Sequence, residues 1–499
     1  MFRSALLTLV LAWGALLSGA PAAAAECYTI LVGRDASADG SVLIGHNEDD
    51  AGDIVVNLRR VPARTYAARP PVILDGGARH DAGPRVNGFL WIEATTQTFA
   101  DVFVTDSGVA MVSNSCPSRE QDDDFTQGGI AYLLRRLVAE QAVSARDAVR
   151  LAGELVAQYG YTGSGRTYCF ADRREGWLFC VVRGRHWAAR RVPDDQVVVI
   201  PNRFVIHEVD FADDRNFAAS PGLVDYATRR GWYDPATDGA FDFARAFNAL
   251  RDGPVLQDGN TLRHWRGLAL LGNRAFDVQD RLPFCVAPGR KLEPADLMLV
   301  LRDHYEGTPH DVTAGYREGS PNHTRLRTIC TDATIHATVV RLHEALPEPL
   351  SILVYLSLGR PDTAPFLPFY PLAGDLPEGL GLGDPRHDDA RFTREHFQDG
   401  AFEDGRDGLL ITRAVATQRA VEQDYGKLAP RVRAVLDPLE RALQLGLPAL
   451  QQAYRDLAAR DPDAARTHLL AFNHGSFALA RRAYGEIDAI LGAADEGSH

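Results

Sequence analysis

Polar and apolar positions first fall into a regular pattern between residues 28 and 50. Tyr28 to Gly33 reads as a strand, Ala36-Ser37-Ala38-Asp39-Gly40 as a turn and Val42 to Asn47 as a second strand, which predicts a hairpin. Such a hairpin returns Asn47 and Asp49 towards Cys27, the residue just ahead of the first strand. The acidic run Glu48-Asp49-Asp50 ends it, and charge alone assigns that run to a solvated turn. A third apolar run, Gly108 to Asn114, again ends in a small amide side chain.

Helical spacing follows. Ile130, Leu133, Leu134, Leu137 and Val138 fall on one face, and Ser144 with Asp147 forms a capping pattern. That cap opens a second helix, which carries Val149, Ala152, Leu155 and Val156 and ends at Gly160. Both helices read as scaffolding without chemistry. Strand patterns return at Tyr168 to Phe170, Trp177 to Val182 and Val197 to Ile200, the last running into Pro201-Asn202-Arg203-Phe204. Hairpins on either side of a helical pair predict an α+β fold, stacked antiparallel sheets covered by helices. Beyond residue 385 the pattern is helical, from Arg413 to Leu445 and from Leu447 to Leu491, with Gly446 and Pro448 marking a break.

The first 25 residues read differently. Arg3, the apolar run Ala5 to Leu17 and the small residues Ala23-Ala24-Ala25 form an export signal, too short to span a bilayer. The expectation is a secreted or periplasmic protein divided into a signal (1–25), a catalytic domain (27–385) and a helical C-terminal extension (386–499) packed on it. A lipoprotein is the weaker alternative, because Glu26 puts an acidic side chain where a lipidated cysteine is preceded by a small one. Cleavage after Ala25 leaves Glu26 still to be removed before Cys27 is terminal.

Composition narrows the partners. With 45% hydrophobic and 24% charged residues the chain is an ordinary globular protein. A net charge of -13 argues against nucleic acid and acidic membrane surfaces. Six cysteines are too few for a disulfide scaffold. Cys169 and Cys180 flank one turn, leaving a cross-strand disulfide or two buried thiols as equal readings. Nothing in the sequence sets the oligomeric state.

Several stretches together resemble a known family. They are Cys27 to Gly33, Asp39-Gly40-Ser41, Asn47-Glu48-Asp49, Asp172 to Trp177, Trp187 to Asp195, Leu301 to Pro309 and Gly359 to Pro365. In that order they resemble the cysteine dipeptidases of the N-terminal-nucleophile hydrolases, which are similar to penicillin V acylases and bile-salt hydrolases. The resemblance implies an αββα sandwich, Cys27 at the start of a central strand, and hydrolysis of dipeptides or short peptides through an acyl-thioester. By the same resemblance Asp49 orients the freed α-amine of Cys27, Asn114 and Asn202 hold the amine and the oxyanion, and His46, Asn47 and Arg327 contact substrate. Neither metal nor cofactor is implied.

The chemistry matches these residue types. A thiol is only partly ionised at neutral pH and needs a base, and an α-amine with a pKa of about 7.7 to 8.0 suits that task. The chain departs from the pattern at His46, where many relatives carry arginine. Asp303, His304, Glu306, His310 and Asp311 have ligand chemistry but no metal-motif spacing, and read as a packed turn. Gly379-Leu380-Gly381-Leu382-Gly383 lacks the strand and helix of a nucleotide loop. Asn322-His323-Thr324 marks only an exposed segment. Two alternatives stay open: an acylase of the same fold acting on a non-peptide amide, and an inactive exported binding protein.

Overall fold

In the computed structural model the described residues are 27–50, 54–97, 100–249, 259–381 and 406–496. The export signal and Glu26 lie outside them, as do residues 386–405 of the extension and part of the glycine run.

The first strand, β1 (Tyr28–Val32), is buried on both faces, which is why it reads as a nearly continuous apolar run. It lies between β14 (Val197–Ile200) and β2 (Val42–Asp49). Beyond β2 come β16 (Thr334–Leu342), β17 (Ile352–Leu358) and β18 (Leu367–Phe369), completing a six-stranded sheet. A second sheet of eight strands runs β15 (Phe217–Ala219), β13 (Trp187–Arg191), β12 (Gly176–Gly184), β11 (Tyr161–Ala171), β10 (Ala110–Ser115), β9 (Val102–Thr105), β8 (Phe89–Ala94), β3 (Val56–Val61). All the pairings in both sheets are antiparallel. Two small ribbons, β4 (Arg64–Thr65) with β7 (Arg85–Val86) and β5 (Val72–Ile73) with β6 (Arg79–His80), sit between β3 and β8 in the chain.

Period-two alternation sorts the side chains into three apolar layers. Leu31, Ile44 and Val198 of the first sheet meet Val112, Cys169 and Leu178 of the second. The outer face of the second sheet, with Trp91, Met111, Phe170 and Phe179, is covered by α1 (Leu133–Gln141) and α2 (Ala145–Tyr159). The outer face of the first, with Tyr28, Ile30, Val199 and Val339, is covered by α5 (Gly259–Gly272) and α6 (Pro294–Leu301). Short helices α3 (Leu223–Arg229) and α4 (Phe243–Phe247) lie between β15 and α5 in sequence. The order is helix, sheet, sheet, helix, as the resemblance implies. Among the described residues no helix is long and apolar enough to cross a membrane.

Three features differ from the sequence reading. Glu48 and Asp49 are not in a solvated turn; they continue β2 and are 1% exposed. The C-terminal helices are Leu410–Val421, Tyr425–Ala458 and Pro462–Glu496, so the chain runs helical through Gly446 and Pro448. Leu443, Leu447, Leu450 and Tyr454 are buried across that point, and their packing outweighs the hydrogen bond that an interior proline removes. Cys169 and Cys180 do not oppose each other, because Cys169 faces Leu178 and Cys180 faces Thr167. All six cysteines are free, so the buried-thiol reading holds. Ser144 caps α2 by accepting from the Asp147 amide, as its sequence indicates.

Candidate active site

The register of β1 against β2 decides which side chains meet Cys27. Thr29 pairs with His46 and Tyr28 with Asn47, so Thr29, His46 and Glu48 point into the layer between the sheets. Cys27 joins them there, fully buried, its Sγ donating to Glu48 Oε1 at 2.8 Å.

A chain of hydrogen bonds runs on from Glu48, and its donors can be assigned from one end. Asn114 Nδ2 donates to the Ile200 carbonyl at 2.9 Å, which fixes the amide with Oδ1 towards Thr29. Thr29 Oγ1 gives its proton to that Oδ1 at 2.5 Å, so towards His46 Nδ1, 2.8 Å away, it can only accept. His46 is then protonated on Nδ1, and its bare Nε2 lies 3.0 Å from Glu48 Oε2. Satisfying that last contact puts a proton on Glu48.

The electrostatics agree. Burial pushes the Glu48 carboxyl up to about 7, against smaller pulls from the Cys27 hydrogen bond and from Arg135 and Arg166. Burial, with the same two guanidinium groups, holds His46 neutral at about 3. Burial first, then the charges of Glu48 and Asp49, push the Cys27 thiol up, and Arg166 pulls it back. Arg135 of α1 and Arg166 of β11 both donate to Ser113 Oγ, at 3.3 and 3.1 Å. The positive charge that the neutral His46 cannot supply therefore comes from elsewhere, and α1 is not mere scaffolding.

Removing the Glu48 charge has a pH signature. Its folded pKa lies above its ordinary 4.5, so its stabilising share is complete below about pH 4.5 and is lost as pH rises through about 7. Glu48→Gln is expected to exceed wild-type stability by about 3 kcal/mol at pH 8 and to match it at pH 4, measured by urea unfolding. A variant destabilised equally at both pH values would contradict this.

Asp49 and Asn47 lie on the opposite face of β2. Asp49 accepts from Thr334 Oγ1 at 2.6 Å and pairs with Arg327 at 3.0 Å. Burial raises its carboxyl to about 6, with Arg327 the leading opposing influence. Asn47 Nδ2 donates to the carbonyls of Leu301 and Ile329, at 2.9 and 3.0 Å, and so ties down the two loops that follow α6 and precede β16. The structure thus gathers His46 with Cys27 and Asn114, and sets Asn47, Asp49 and Arg327 on the helix side of the sheet.

Asn202, just past β14, donates to the Ser115 carbonyl at 2.8 Å. Its Oδ1 accepts from Arg263 Nη2 at 2.8 Å, and the same guanidinium reaches Asn260 Oδ1 at 2.7 Å and the Cys27 carbonyl at 3.3 Å. Tyr28 Oη, on the strand beneath, donates to the Arg263 carbonyl at 3.1 Å. Gly267, one turn on, leaves room for that phenol, since a Cβ there would stand 1.9 Å from Tyr28 Oη.

Sequence reasoning missed Glu48, Arg263, Asn260 and Arg166. Glu48 shares the parity of Ile44 and His46, and following the hairpin register one step further finds it. Arg263 is 236 residues from Cys27 along the chain and carries no local signal.

Two trios of ligand-type side chains lie within 4.8 Å of one another among the described residues: Cys27, His46 and Glu48, and His304, Cys330 and Asp362. Arg135 and Arg166 bear on the first and oppose a cation there. In the second, Asp362 is held well below the usual carboxylate range, despite burial, chiefly by Arg360 and His304. His304 also bonds Glu306 at 3.0 Å, and Asp303 forms a fork with Arg266, so the ligand-rich turn is a set of ion pairs.

A buried thiol thus stands at the head of a central strand in a four-layer α+β fold, with a carboxyl, an imidazole and two carboxamides around it. The chain belongs to peptidase family C69, whose model matches residues 92–393, and it is a hydrolase of peptide bonds. A "Probable dipeptidase" of Salmonella dublin is 28% identical over 368 residues, 69% of this chain and 80% of its own length. A "Dipeptidase" of Bifidobacterium longum is 26% identical over 500 residues, 88% and 87% of the two chains. Among solved structures, a mutant conjugated bile acid hydrolase of Clostridium perfringens aligns over 67% of this chain and 89% of its own, at 12% identity and a TM-score of 0.27.

Proposed function

We propose that the protein is an exported dipeptidase that works from Cys27 once residues up to and including Glu26 are removed. The observation that carries this reading is the Cys27 thiol itself: fully buried, hydrogen-bonded, and immediately ahead of the strand that two neighbours clamp. Relatives whose names are dipeptidase or probable dipeptidase support the substrate class. So does Arg327, 3.0 Å from Asp49, because a guanidinium suits the free carboxylate of a dipeptide.

In this mechanism the freed α-amine takes the thiol proton and Sγ attacks the scissile carbonyl. Asn202, held by Arg263, and Asn114 steady the amine and the developing oxyanion. The amine then protonates the leaving nitrogen, and water hydrolyses the thioester left on Cys27. Asp49 holds the amine in position, and Arg327 receives the substrate carboxylate.

The test combines the N-terminal mass of the protein secreted by its own host with rates on free dipeptides and on the same dipeptides N-acetylated or C-amidated. A chain beginning at Cys27 that prefers the free dipeptides about 100-fold is expected. Equal or better rates on acylated amides would move the assignment to an acylase. A chain that keeps Glu26 and cleaves nothing would make it a binding protein.

A further inference from the structure

The ion pairs of the ligand-rich turn leave one atom over. Glu306 Oε1 accepts from His304 Nδ1 at 3.0 Å and its Oε2 accepts from the His304 amide at 2.7 Å, so one side of the ring is fixed by a carboxylate. Tyr316 donates to the same Oε1. The other ring nitrogen, Nε2, belongs to a side chain 1% exposed and has no hydrogen-bond partner among the described residues. It lies 3.8 Å from Asp362 Oδ2, and with the fully buried Cys330 Sγ the three ligand atoms stand within 4.8 Å of one another. Such a triangle has a centre at most about 2.8 Å from each atom, so closing on an ion at zinc's distances of about 2.0 to 2.3 Å asks for shifts of about half an ångström.

We propose that His304 Nε2, Cys330 Sγ and a carboxylate oxygen of Asp362 bind a structural zinc ion. An imidazole, a thiolate and a carboxylate are zinc's donors, and the sulfur excludes the hard cations magnesium and calcium. The surroundings are those of a metal site as well. A carboxylate on the far nitrogen is what orients a metal-binding imidazole. Asp362 Oδ2 is held by Tyr425 Oη at 2.8 Å and by Asn322 Nδ2 at 3.1 Å, and Asn322 Oδ1 is buried without a partner among the described residues. Arg360 is the cation that opposes an ion here, with Nε 3.4 Å from Asp362 Oδ1, but its Nη1 pairs with Glu422 at 2.5 Å. The exchange balances: the ion displaces the proton of the Cys330 thiol and the proton on His304 Nε2, so two positive charges leave as two arrive, with no change of oxidation state. The ligands come from the turn after α6, the stretch ahead of β16 and the loop after β17, and Tyr425 opens the C-terminal helix Tyr425–Ala458. The ion thus joins three loops of the catalytic domain beside the extension, and it takes no part in the hydrolysis.

The untagged full chain and its Cys27→Ser variant, which lacks the thiol of the other trio, are stripped with a chelator and titrated with zinc and with cobalt(II). Both are expected to bind one ion with a Kd below about 10 μM and to melt at a higher temperature with it, and the cobalt form to show a thiolate charge-transfer band with the strong visible bands of a tetrahedral site. Cys330→Ser, shown folded by circular dichroism, is expected to bind at least about 100-fold more weakly and to lose the charge-transfer band, and Glu306→Gln to bind about 10 to 100-fold more weakly while keeping it. Binding by the Cys27→Ser chain weaker than about 10 μM overturns the proposal. So does a cobalt complex without the charge-transfer band, or one that keeps it in Cys330→Ser. If Cys330→Ser does not fold, the X-ray absorption spectrum of zinc on the Cys27→Ser chain decides: one sulfur among nitrogen and oxygen neighbours is expected, and a shell with none or several overturns the proposal.

Discussion

Cys27→Ala is expected to abolish dipeptide hydrolysis, with kcat/KM down by at least about 10³-fold, while the chain stays folded. The side chain donates a hydrogen bond to Glu48, and methyl for thiol removes little volume. Circular dichroism should therefore hardly change and urea unfolding should show a loss of about 1 to 3 kcal/mol, for the Glu48 oxygen left without its donor, while the rate disappears. Cys27→Ser separates two reasons for that loss. A hydroxyl keeps the donor to Glu48 but is far harder to ionise than a thiol, so near-complete loss with Ser would place the deficit in nucleophilicity. Hydrolysis surviving in the alanine variant would remove Cys27 from the reaction.

The second large effect belongs to Arg263. Its guanidinium joins the Cys27 and Gly259 carbonyls to the side chains of Asn202 and Asn260 within one buried cluster. Arg263→Lys keeps the charge but not the fork. An ammonium cannot reach these acceptors together, and each one left buried without a donor costs about 1 to 3 kcal/mol. The expectation is a loss of roughly 3 kcal/mol in stability and a fall of about 10²-fold in kcat, larger than any change in KM, since in the proposed mechanism Asn202 serves the reacting carbonyl rather than the substrate termini. Rates within threefold of wild type would show that Arg263 does no more than hold α5 in place.

Much of the scaffold was legible because it follows local rules. The hairpin Tyr28 to Asp49, the strand ending at Asn114, the Ser144 cap and the strands flanking Asp172 to Glu175 all carry short-range patterns of apolar spacing or turn chemistry. What escaped was settled by packing. Glu48 and Asp49 look like surface residues because charged side chains are rarely buried, and hydrogen bonds with Cys27, His46, Thr334 and Arg327 make their burial tolerable. The thread Asn114–Thr29–His46–Glu48 crosses from one sheet to the other, so no single segment announces it. The long C-terminal helix ignores Pro448 for the same reason, as its neighbours Leu447 and Leu450 are already committed to the core.

The strict pairing of β1 with its neighbours also acts as a counter. Thr29 faces His46 on one side and Ile200 on the other, so both ladders fix which side chains look inward. Because strand side chains alternate, inserting one residue between Cys27 and Tyr28 would keep every backbone bond of β1 and yet turn the thiol towards the α5 and α6 layer, away from Glu48. The fold would survive and the catalyst would not. Under the proposed processing, the position of the cut that exposes Cys27 and the numbering of the strand are thus a single specification, set to within one residue.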